Sequence, residues 1–327
     1  MEVRSAVEMT VEFETLQEMI AVFGNLDENI RYIEENTRTT IIARDGAAVI
    51  KGEIDDMSVA KKVLEDLKRV FEAGDYIDIN KISYFLEVTK EAPEKESSGD
   101  FLSLANVIAL THSGKPVKCR TFGQKKYMEL IDKNTVVFAI GPAGTGKTYL
   151  AMAKAVVALK NKEVSRIILT RPAVEAGEKL GFLPGDLQSK VDPYLRPLYD
   201  ALYEFMGPDA YQRMSENGTI EVAPLAYMRG RTLADAFIIL DEAQNCSREQ
   251  LKMFLTRFGD GSKVIVTGDI TQIDLPEEKR SGLSRTAEIL KGIDGIGVIE
   301  LTQRDVVRHR LVKEIIKAFD KFEEKRK

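Results

Sequence analysis

Cysteine, histidine and tryptophan are scarce in this sequence of 327 residues, which has two cysteines, two histidines and no tryptophan. Cys119 and Cys246 lie far apart, without the spacing of a zinc site or the number that a disulfide framework requires. The first residues lack the long apolar stretch of a secretory signal. Two thiols without an export signal are typical of a reducing compartment, so we expect a cytoplasmic protein.

Long apolar runs are also absent. No stretch of 18 apolar residues occurs, so no membrane-spanning helix is expected. The net charge of −5 conceals an asymmetry, because residues 1–100 carry 12 basic and 23 acidic residues whereas residues 101–327 carry 35 and 29. A polyanion is therefore expected to bind more favourably to the second part of the chain.

Residues 90–100 are polar, contain proline and glycine and have no apolar face. They predict a linker between a domain over residues 1–89 and a domain over residues 101–327. The pattern of the first domain predicts the order β-α-α-β-β-α, typical of a small α+β domain. Its predicted elements are a strand at Val7–Phe13, helices at Leu16–Phe23 and Asn25–Asn36, a hairpin of Thr40–Arg44 with Ala47–Lys51, and a helix at Val59–Phe71.

In this element order the first domain resembles a KH-like RNA-binding module. A KH domain holds the nucleic-acid backbone with a Gly-x-x-Gly loop. The corresponding turn here, Gly24–Asp27, has one glycine and an acidic end. A structural or oligomerising role is therefore favoured over RNA binding, and both alternatives remain open.

The second domain shows short apolar runs that alternate with helical patterns. Such an alternation predicts an α/β fold with a parallel sheet. The predicted strands are Thr135–Ile140, Arg166–Thr170, Ala236–Leu240, Lys263–Thr267 and Gly297–Leu301.

A glycine-rich motif separates the first of these strands from a predicted helix at Thr148–Leu159. It matches G-x-x-x-x-G-K-[ST] in full, with Gly141, Pro142, Ala143, Gly144, Thr145, Gly146, Lys147 and Thr148. The glycines let successive backbone N–H groups face phosphate oxygens, and the following helix adds its amino-terminal dipole. Lys147 would contact the β- and γ-phosphates, and the Thr148 hydroxyl would bind magnesium. The motif therefore predicts a binding site for ATP with Mg²⁺.

Two carboxylates follow the strand at Ala236–Leu240. Asp241 and Glu242 stand at its carboxyl end, which is where α/β sheets bind their ligands. We expect Asp241 to hold magnesium and Glu242 to act as the general base for the attacking water. An ordinary strand end with two solvated carboxylates is the alternative, and the upstream motif makes it the weaker one.

Three further segments complete the predicted nucleotide site. Gln124 could pair with the adenine edge, with Phe122 or Tyr127 stacking on the base, although a lone glutamine is more often simply polar surface. Asp269 and Gln272 follow the strand at Lys263–Thr267 and would face the γ-phosphate. Arg304 follows the last strand and could stabilise developing negative charge as a catalytic residue, in its own subunit or in a neighbour; a surface salt bridge is an equal alternative.

These motifs, in this order, resemble those of the PhoH family of bacterial ATPases. The segments Thr170–Pro172, Asp241–Asn245 and Thr267–Asp269 contribute to the resemblance, as do the runs at 171–186 and 304–309. The resemblance implies a RecA-like P-loop NTPase domain, preceded by the KH-like domain, and an oligomeric cytoplasmic ATPase tied to RNA metabolism. Some members resemble RNA helicases or act beside an endoribonuclease of the YbeY type.

The residues after the linker have room for one RecA-like domain and contain one P-loop. A monomeric superfamily-one helicase, which the family resembles, needs two such domains that close on ATP between them. Movement along RNA would therefore require neighbouring subunits, as in a ring. The segment Leu187–Arg231 is rich in basic residues and tyrosines, which could track single-stranded RNA or could instead form a core or an interface. Two functions remain open: an RNA-acting ATPase, or a nucleotide-regulated scaffold that switches a protein partner.

Overall fold

The computed structural model describes residues 8–91, 106–172, 187–273 and 281–308, together with residues 311, 312, 315 and 319; for residues 187–192 it describes the backbone alone. The chain divides into two compact units, one of residues 1–106 with 308–327 and one of residues 107–307. The sequence-based division into domains over residues 1–89 and 101–327 stays a prediction. In the described part of the chain, no helix has the length and apolar character that crossing a bilayer requires.

The first unit is an α+β fold with a three-stranded antiparallel sheet in the order β1-β3-β2. The predicted hairpin turns at Asp45 and Gly46, which adopt φ angles of +51° and +80°. Its elements are β1 (Glu8–Glu12), α1 (Leu16–Phe23), α2 (Glu28–Thr37), β2 (Thr40–Arg44), β3 (Ala47–Lys51), α3 (Ile54–Glu72) and α4 (Ile79–Glu91).

Two details of this unit differ from the sequence predictions. The second helix begins at Glu28 rather than Asn25, because Leu26 and Asp27 adopt left-handed backbone conformations. Helix α4 was not predicted, and it extends to Glu91, inside the predicted linker. Its apolar residues Ile82, Phe85 and Leu86 are buried and recur at helical spacing.

The second unit is built on a six-stranded parallel sheet in the order β11-β6-β10-β9-β7-β8, which confirms the predicted α/β fold of a RecA-like P-loop NTPase. A small antiparallel hairpin of β4 and β5 precedes it. Its elements are β4 (Val107–Leu110), β5 (Pro116–Lys118), α5 (Phe122–Lys133), β6 (Val136–Ile140), α6 (Lys147–Lys160), β7 (Arg166–Arg171), α7 (Leu187–Met206), α8 (Pro208–Glu216), β8 (Ile220–Pro224), β9 (Ala236–Leu240), α9 (Arg248–Leu255), β10 (Lys263–Gly268), α10 (Leu283–Leu290) and β11 (Ile296–Glu300).

The register of the central strands brings the predicted site residues to one edge. Every residue of β6 and β9 is buried, as their continuous apolar sequences predict. Gly268 of β10 pairs with Ile140 of β6, and Val266 pairs with Leu240 of β9. The loops that follow these three strands therefore emerge side by side at the carboxyl edge of the sheet.

Candidate functional site

The loop between β6 and α6 has the backbone geometry that its glycines predict. Gly144 and Gly146 adopt φ angles of +87° and +80°, a region that glycine enters without steric cost. Gly141 is required for another reason, because a Cβ atom there would lie 2.5 Å from the carbonyl oxygen of Leu301. The loop leads into the amino terminus of α6, where unpaired N–H groups and the helix dipole favour an anion.

Lys147 is buried and lies against this loop. Its Nζ donates hydrogen bonds to the carbonyl oxygens of Gly141 at 2.6 Å and Pro142 at 2.8 Å. The Thr145 hydroxyl donates to the same Pro142 oxygen at 2.9 Å. The ammonium group is thus held beside the N–H groups of the loop, where its charge favours a bound polyphosphate.

Thr148 and Asp241 come together from opposite sides of the site. The Thr148 hydroxyl donates to Asp241 Oδ1 at 2.6 Å, and Thr267 Oγ1 donates to the same oxygen at 2.8 Å. A hydroxyl and a carboxylate are hard oxygen ligands of the kind that Mg²⁺ prefers, with phosphate oxygens and water completing its shell. The residues present therefore fit a magnesium–nucleotide complex.

No group of three or more His, Cys, Asp and Glu side chains forms a metal site among the described residues. A magnesium ion held by Thr148 and Asp241 would consequently depend on the nucleotide for further ligands. This dependence is usual for Mg²⁺ at phosphate-transfer sites.

A cavity of about 270 Å³ lies at the end of the P-loop and is lined by two of the three predicted catalytic residues, Lys147 and Glu242. Its lining includes Gly144, Lys147, Asp241, Glu242, Asp269 and Gln272. The structure therefore brings most of the predicted phosphate-binding and metal-binding residues to one place, where positive, negative and backbone groups converge.

Glu242 has an unusual backbone conformation for a residue with a side chain, with φ of +53° and ψ of +38°. Its Oε1 accepts a hydrogen bond from Arg171 Nη2 at 2.9 Å, and its Oε2 accepts one from Gln244 Nε2 at 2.5 Å. Both oxygens of the predicted general base are thus engaged by donors outside the P-loop. Strained backbone of this kind is concentrated at functional sites.

Asp269, the residue that follows strand β10, is hydrogen-bonded to the P-loop. Its Oδ2 accepts a hydrogen bond from the backbone N–H of Ala143 at 2.8 Å, and its Oδ1 accepts from the Thr271 hydroxyl at 2.6 Å. The Asp269 N–H donates to Gln244 Oε1 at 3.0 Å. Gln244 therefore connects Asp269 to Glu242, and the predicted sensing role of Asp269 and Gln272 stays a prediction.

Gln124 is buried beneath the P-loop. Its Nε2 donates to the carbonyl oxygen of Thr145 at 3.0 Å, and its Oε1 accepts from the Arg120 N–H at 2.7 Å. The amide thus supports the loop backbone in this structure, and adenine recognition by Gln124 stays a prediction.

The expectation that Phe122 or Tyr127 stacks on a base is wrong for this structure. Both side chains are buried, and the Tyr127 hydroxyl donates to the carbonyl oxygen of Lys147 at 3.2 Å. Burial, assisted by the nearby Asp241 carboxylate, raises the pKa of Tyr127 well above its usual value. Both rings are therefore core residues, and Tyr127 packs within the apolar cluster that includes residues of β6 and α6.

Arg304 is exposed on a short turn over Gln303–Asp305 and is not among the residues that line the 270 Å³ cavity. The turn is tied to the P-loop, because Val307 N–H donates to the carbonyl oxygen of Gly144 at 2.9 Å. The role of Arg304 in catalysis stays a prediction.

The segment over Leu187–Arg231 folds into α7, α8 and β8. Tyr211 packs against Tyr199 and Tyr203 at ring distances of 6.0 and 5.1 Å. Arg231 forms a two-armed ion pair with Glu221, with distances of 2.5 and 2.6 Å. These side chains thus pack within the unit, which favours the structural interpretation for them over RNA tracking.

Three residues of the site neighbourhood carried no role in the sequence predictions. Thr267 entered only as a strand end and as part of a family segment, and Arg171 only as part of family segments. In the structure Thr267 contacts the predicted magnesium ligand Asp241, and Arg171 contacts the predicted general base Glu242. Asp305 is buried and joins the turn before Val306 to Thr121. Thr267 and Arg171 share one signal, a polar residue near the carboxyl end of a buried strand, whereas Asp305 lies on a turn beyond the partly exposed strand β11.

Comparisons with known proteins agree with the geometry. Residues 116–320 match the family model described as PhoH-like protein. The chain is 51% identical to the PhoH-like protein of Mycobacterium tuberculosis H37Rv over 99% of this chain and 89% of the relative, and 50% identical to that of Bacillus subtilis over 96% and 97%. It is 43% identical to Protein PhoH of Escherichia coli K12 over 69% and 66%. The resemblance seen in the motifs is thereby confirmed, and the chain belongs to the PhoH-like family of P-loop proteins.

Proposed function

We propose that this chain hydrolyses ATP with magnesium at the cavity beside the P-loop. The observation that carries the proposal is the meeting of Thr148 Oγ1 and Asp241 Oδ1 at 2.6 Å, with the Glu242 carboxylate lining the same cavity. This arrangement unites a phosphate cradle, a magnesium site and a general base, the components that phosphoryl transfer requires.

In the proposed step, water attacks the γ-phosphorus and forms a new P–O bond. The bond from the γ-phosphorus to the β–γ bridging oxygen breaks, and ADP leaves with that electron pair. Glu242 accepts the proton of the attacking water, and Lys147 with the loop N–H groups stabilises the charge on the phosphate oxygens. Magnesium held by Thr148 and Asp241 would neutralise phosphate charge.

The first test is Lys147→Ala, which removes the buried ammonium group from the loop. We expect the variant to lose detectable ATP binding and turnover, as measured by nucleotide titration and phosphate release. Circular dichroism would establish that the variant is folded. Turnover at the wild-type rate in a folded Lys147→Ala protein would refute the assignment of the site.

We propose further that the ATPase acts on RNA in the cytoplasm. The net positive charge of residues 101–327 and the family resemblance support this proposal. Single-stranded RNA is expected to raise the rate of ATP turnover, and the effect should weaken as salt increases. A rate of ATP turnover that is unchanged by RNA but changes when a protein partner is added, such as an endoribonuclease of the YbeY type, would favour the scaffold function instead.

We propose that the active form is a closed oligomer, such as a ring, in which Arg304 acts on a neighbouring subunit. Support comes from the single P-loop unit and from the exposed position of Arg304 on a turn tied to Gly144. An arginine supplied from a neighbouring subunit can stabilise the charge of the phosphoryl-transfer transition state.

Mixing two inactive proteins tests this arrangement. Lys147→Ala keeps its arginine, and Arg304→Ala keeps its P-loop, so mixed oligomers should regain part of the ATPase rate. Subunit exchange is verified with differently labelled chains. A monomer with full turnover, or exchanged mixtures that stay inactive, would contradict action between subunits.

A further inference from the structure

Arg171 connects the predicted general base to a helix outside the phosphate cavity. It is the last residue of β7, and its Nη2 lies 2.9 Å from Glu242 Oε1. Its other terminal nitrogen, Nη1, donates to the carbonyl oxygen of Tyr194 on α7 at 2.8 Å. One guanidinium group therefore bridges the carboxylate of Glu242 and the backbone of α7.

The sheet order shows the direction in which this contact holds Glu242. Strand β7 neighbours β9 on the side opposite β10, and β6 with its P-loop lies beyond β10. Arg171 ends β7, so its ion pair engages the Glu242 carboxylate from the side of β9 that faces away from the P-loop. The Glu242 backbone, at φ of +53°, is held in a sparsely populated conformation.

Both oxygens of the Glu242 carboxylate are occupied by hydrogen-bond donors. Oε1 is engaged by the charged guanidinium of Arg171, and Oε2 by the amide of Gln244. An attacking water that approaches Oε1 has to compete with the guanidinium group for that oxygen, so the carboxylate is not free to engage the water while the charge-assisted hydrogen bond is in place. The arrangement seen here is therefore a restrained state of the base.

We propose that Arg171 is a positioning residue that restrains Glu242 and makes its release depend on the position of α7. This inference rests on the proposed ATPase function. Hydrolysis is slow while Arg171 holds both partners, and it accelerates when α7 shifts and the guanidinium leaves the carboxylate. The relay gives helix α7, whose described residues do not line the phosphate cavity, control over the chemical step.

The kinetic test compares Arg171→Ala and Arg171→Lys with the wild type. Removing the guanidinium frees Glu242 Oε1, so Arg171→Ala should raise kcat about 3- to 10-fold and leave KM unchanged; this is the scale of a partly exposed ion pair. Arg171→Lys keeps the charge but has a single donor group, so its kcat should lie between those of the wild type and Arg171→Ala. Glu242→Gln in the Arg171→Ala background should be inactive.

Arg231→Ala is a matched control, because it also removes the arginine of a partly exposed Arg–Glu pair. Arg231 and Glu221 are 32% and 34% exposed, against 21% and 31% for Arg171 and Glu242. The Arg231→Ala protein should keep the wild-type kcat. Thermal unfolding of each variant shows that rates are compared between folded proteins.

Backbone hydrogen exchange tests the link to α7 independently of turnover. Arg171→Ala should speed exchange in α7 over residues 194–206, whereas Arg231→Ala should not. Exchange in α7 that is equal in wild type and Arg171→Ala would overturn the link between α7 and the base.

The outcomes separate this proposal from the proposed function. An unchanged or lowered kcat in folded Arg171→Ala, with an active wild type, would overturn the restraint and leave the ATPase assignment intact. A wild-type protein that binds ATP but releases no phosphate, alone or with RNA or a protein partner, and stays inactive when Arg171 is removed, would overturn both.

Discussion

Asp305 provides a direct test of how the turn after β11 supports the P-loop. The carboxylate is buried, and its Oδ1 accepts a hydrogen bond from Thr121 Oγ1 at 2.6 Å. Its Oδ2 accepts the N–H of Thr302 at 2.9 Å. The Thr302 hydroxyl also donates to Oδ2, at 3.3 Å. Asp305→Ala therefore removes three hydrogen bonds to a charged group and leaves their donors without this acceptor.

Each hydrogen bond to a charged group contributes about 1.5–3 kcal/mol, and partial replacement by water recovers some of the loss. We therefore expect Asp305→Ala to lower the free energy of unfolding of the second unit by about 3 kcal/mol. For a unit of this size the loss corresponds to a fall in Tm of about 6–12 °C.

Differential scanning calorimetry of the full chain measures this change, with Asp260→Ala as the control because Asp260 is exposed in the turn before β10. The control should stay within about 1 °C of the wild type, as surface substitutions usually do. An Asp305→Ala protein with an unchanged Tm would show that the buried carboxylate does not hold the turn in place.

Three further variants test separate features of the second unit. Gly123→Ala should lower the free energy of unfolding of the second unit by a similar amount, because the alanine Cβ would lie 2.2 Å from Asp305 Oδ1. Calorimetry measures the change in Tm, and an unchanged Tm would contradict the close packing of Gly123 against Asp305. Thr148→Ala should require more magnesium than the wild type for its half-maximal ATPase rate, whereas Thr148→Ser, which keeps the hydroxyl, should not. Equal magnesium dependence in Thr148→Ala and the wild type would contradict a role of Thr148 as a magnesium ligand. Burial raises the pKa of the Cys246 thiol to about 12 from an ordinary value of 9.0. The thiol therefore ionises in the unfolded state at a lower pH than in the folded state. The free energy of unfolding should consequently fall as pH rises from about 9 towards 12. Denaturant titrations at several pH values should show that the free energy of unfolding falls less steeply with pH in Cys246→Ala than in the wild type. An identical dependence on pH in the two proteins would contradict a neutral buried thiol.

The sheet and the P-loop were predictable because their signals are local. The apolar run at Val136–Ile140 is buried on both faces, and the glycines after it adopt the conformations that their motif requires. Strand β8, at Ile220–Pro224, was missed because an edge strand needs no continuous apolar run, and its sequence includes Glu221 and a terminal proline.

The connections within the site could not be predicted, because they join residues that are distant along the chain. Thr121 and Asp305 are 184 positions apart, and Arg171 and Glu242 are 71 apart. No local pattern encodes such pairs, since they follow from strand order and register. Gln124 illustrates the same limit: its position before the P-loop was visible, but its hydrogen bond to the Thr145 backbone required the packed structure.

The central claim is that this site hydrolyses ATP with Glu242 as the general base. Its most direct test is to measure ATP affinity and single-turnover hydrolysis of Glu242→Gln beside the wild type. The account predicts unchanged ATP affinity and hydrolysis at least ~100-fold slower, the scale of a lost general base, so that the variant accumulates with ATP bound. A variant that loses ATP affinity but keeps the wild-type rate of hydrolysis would contradict it.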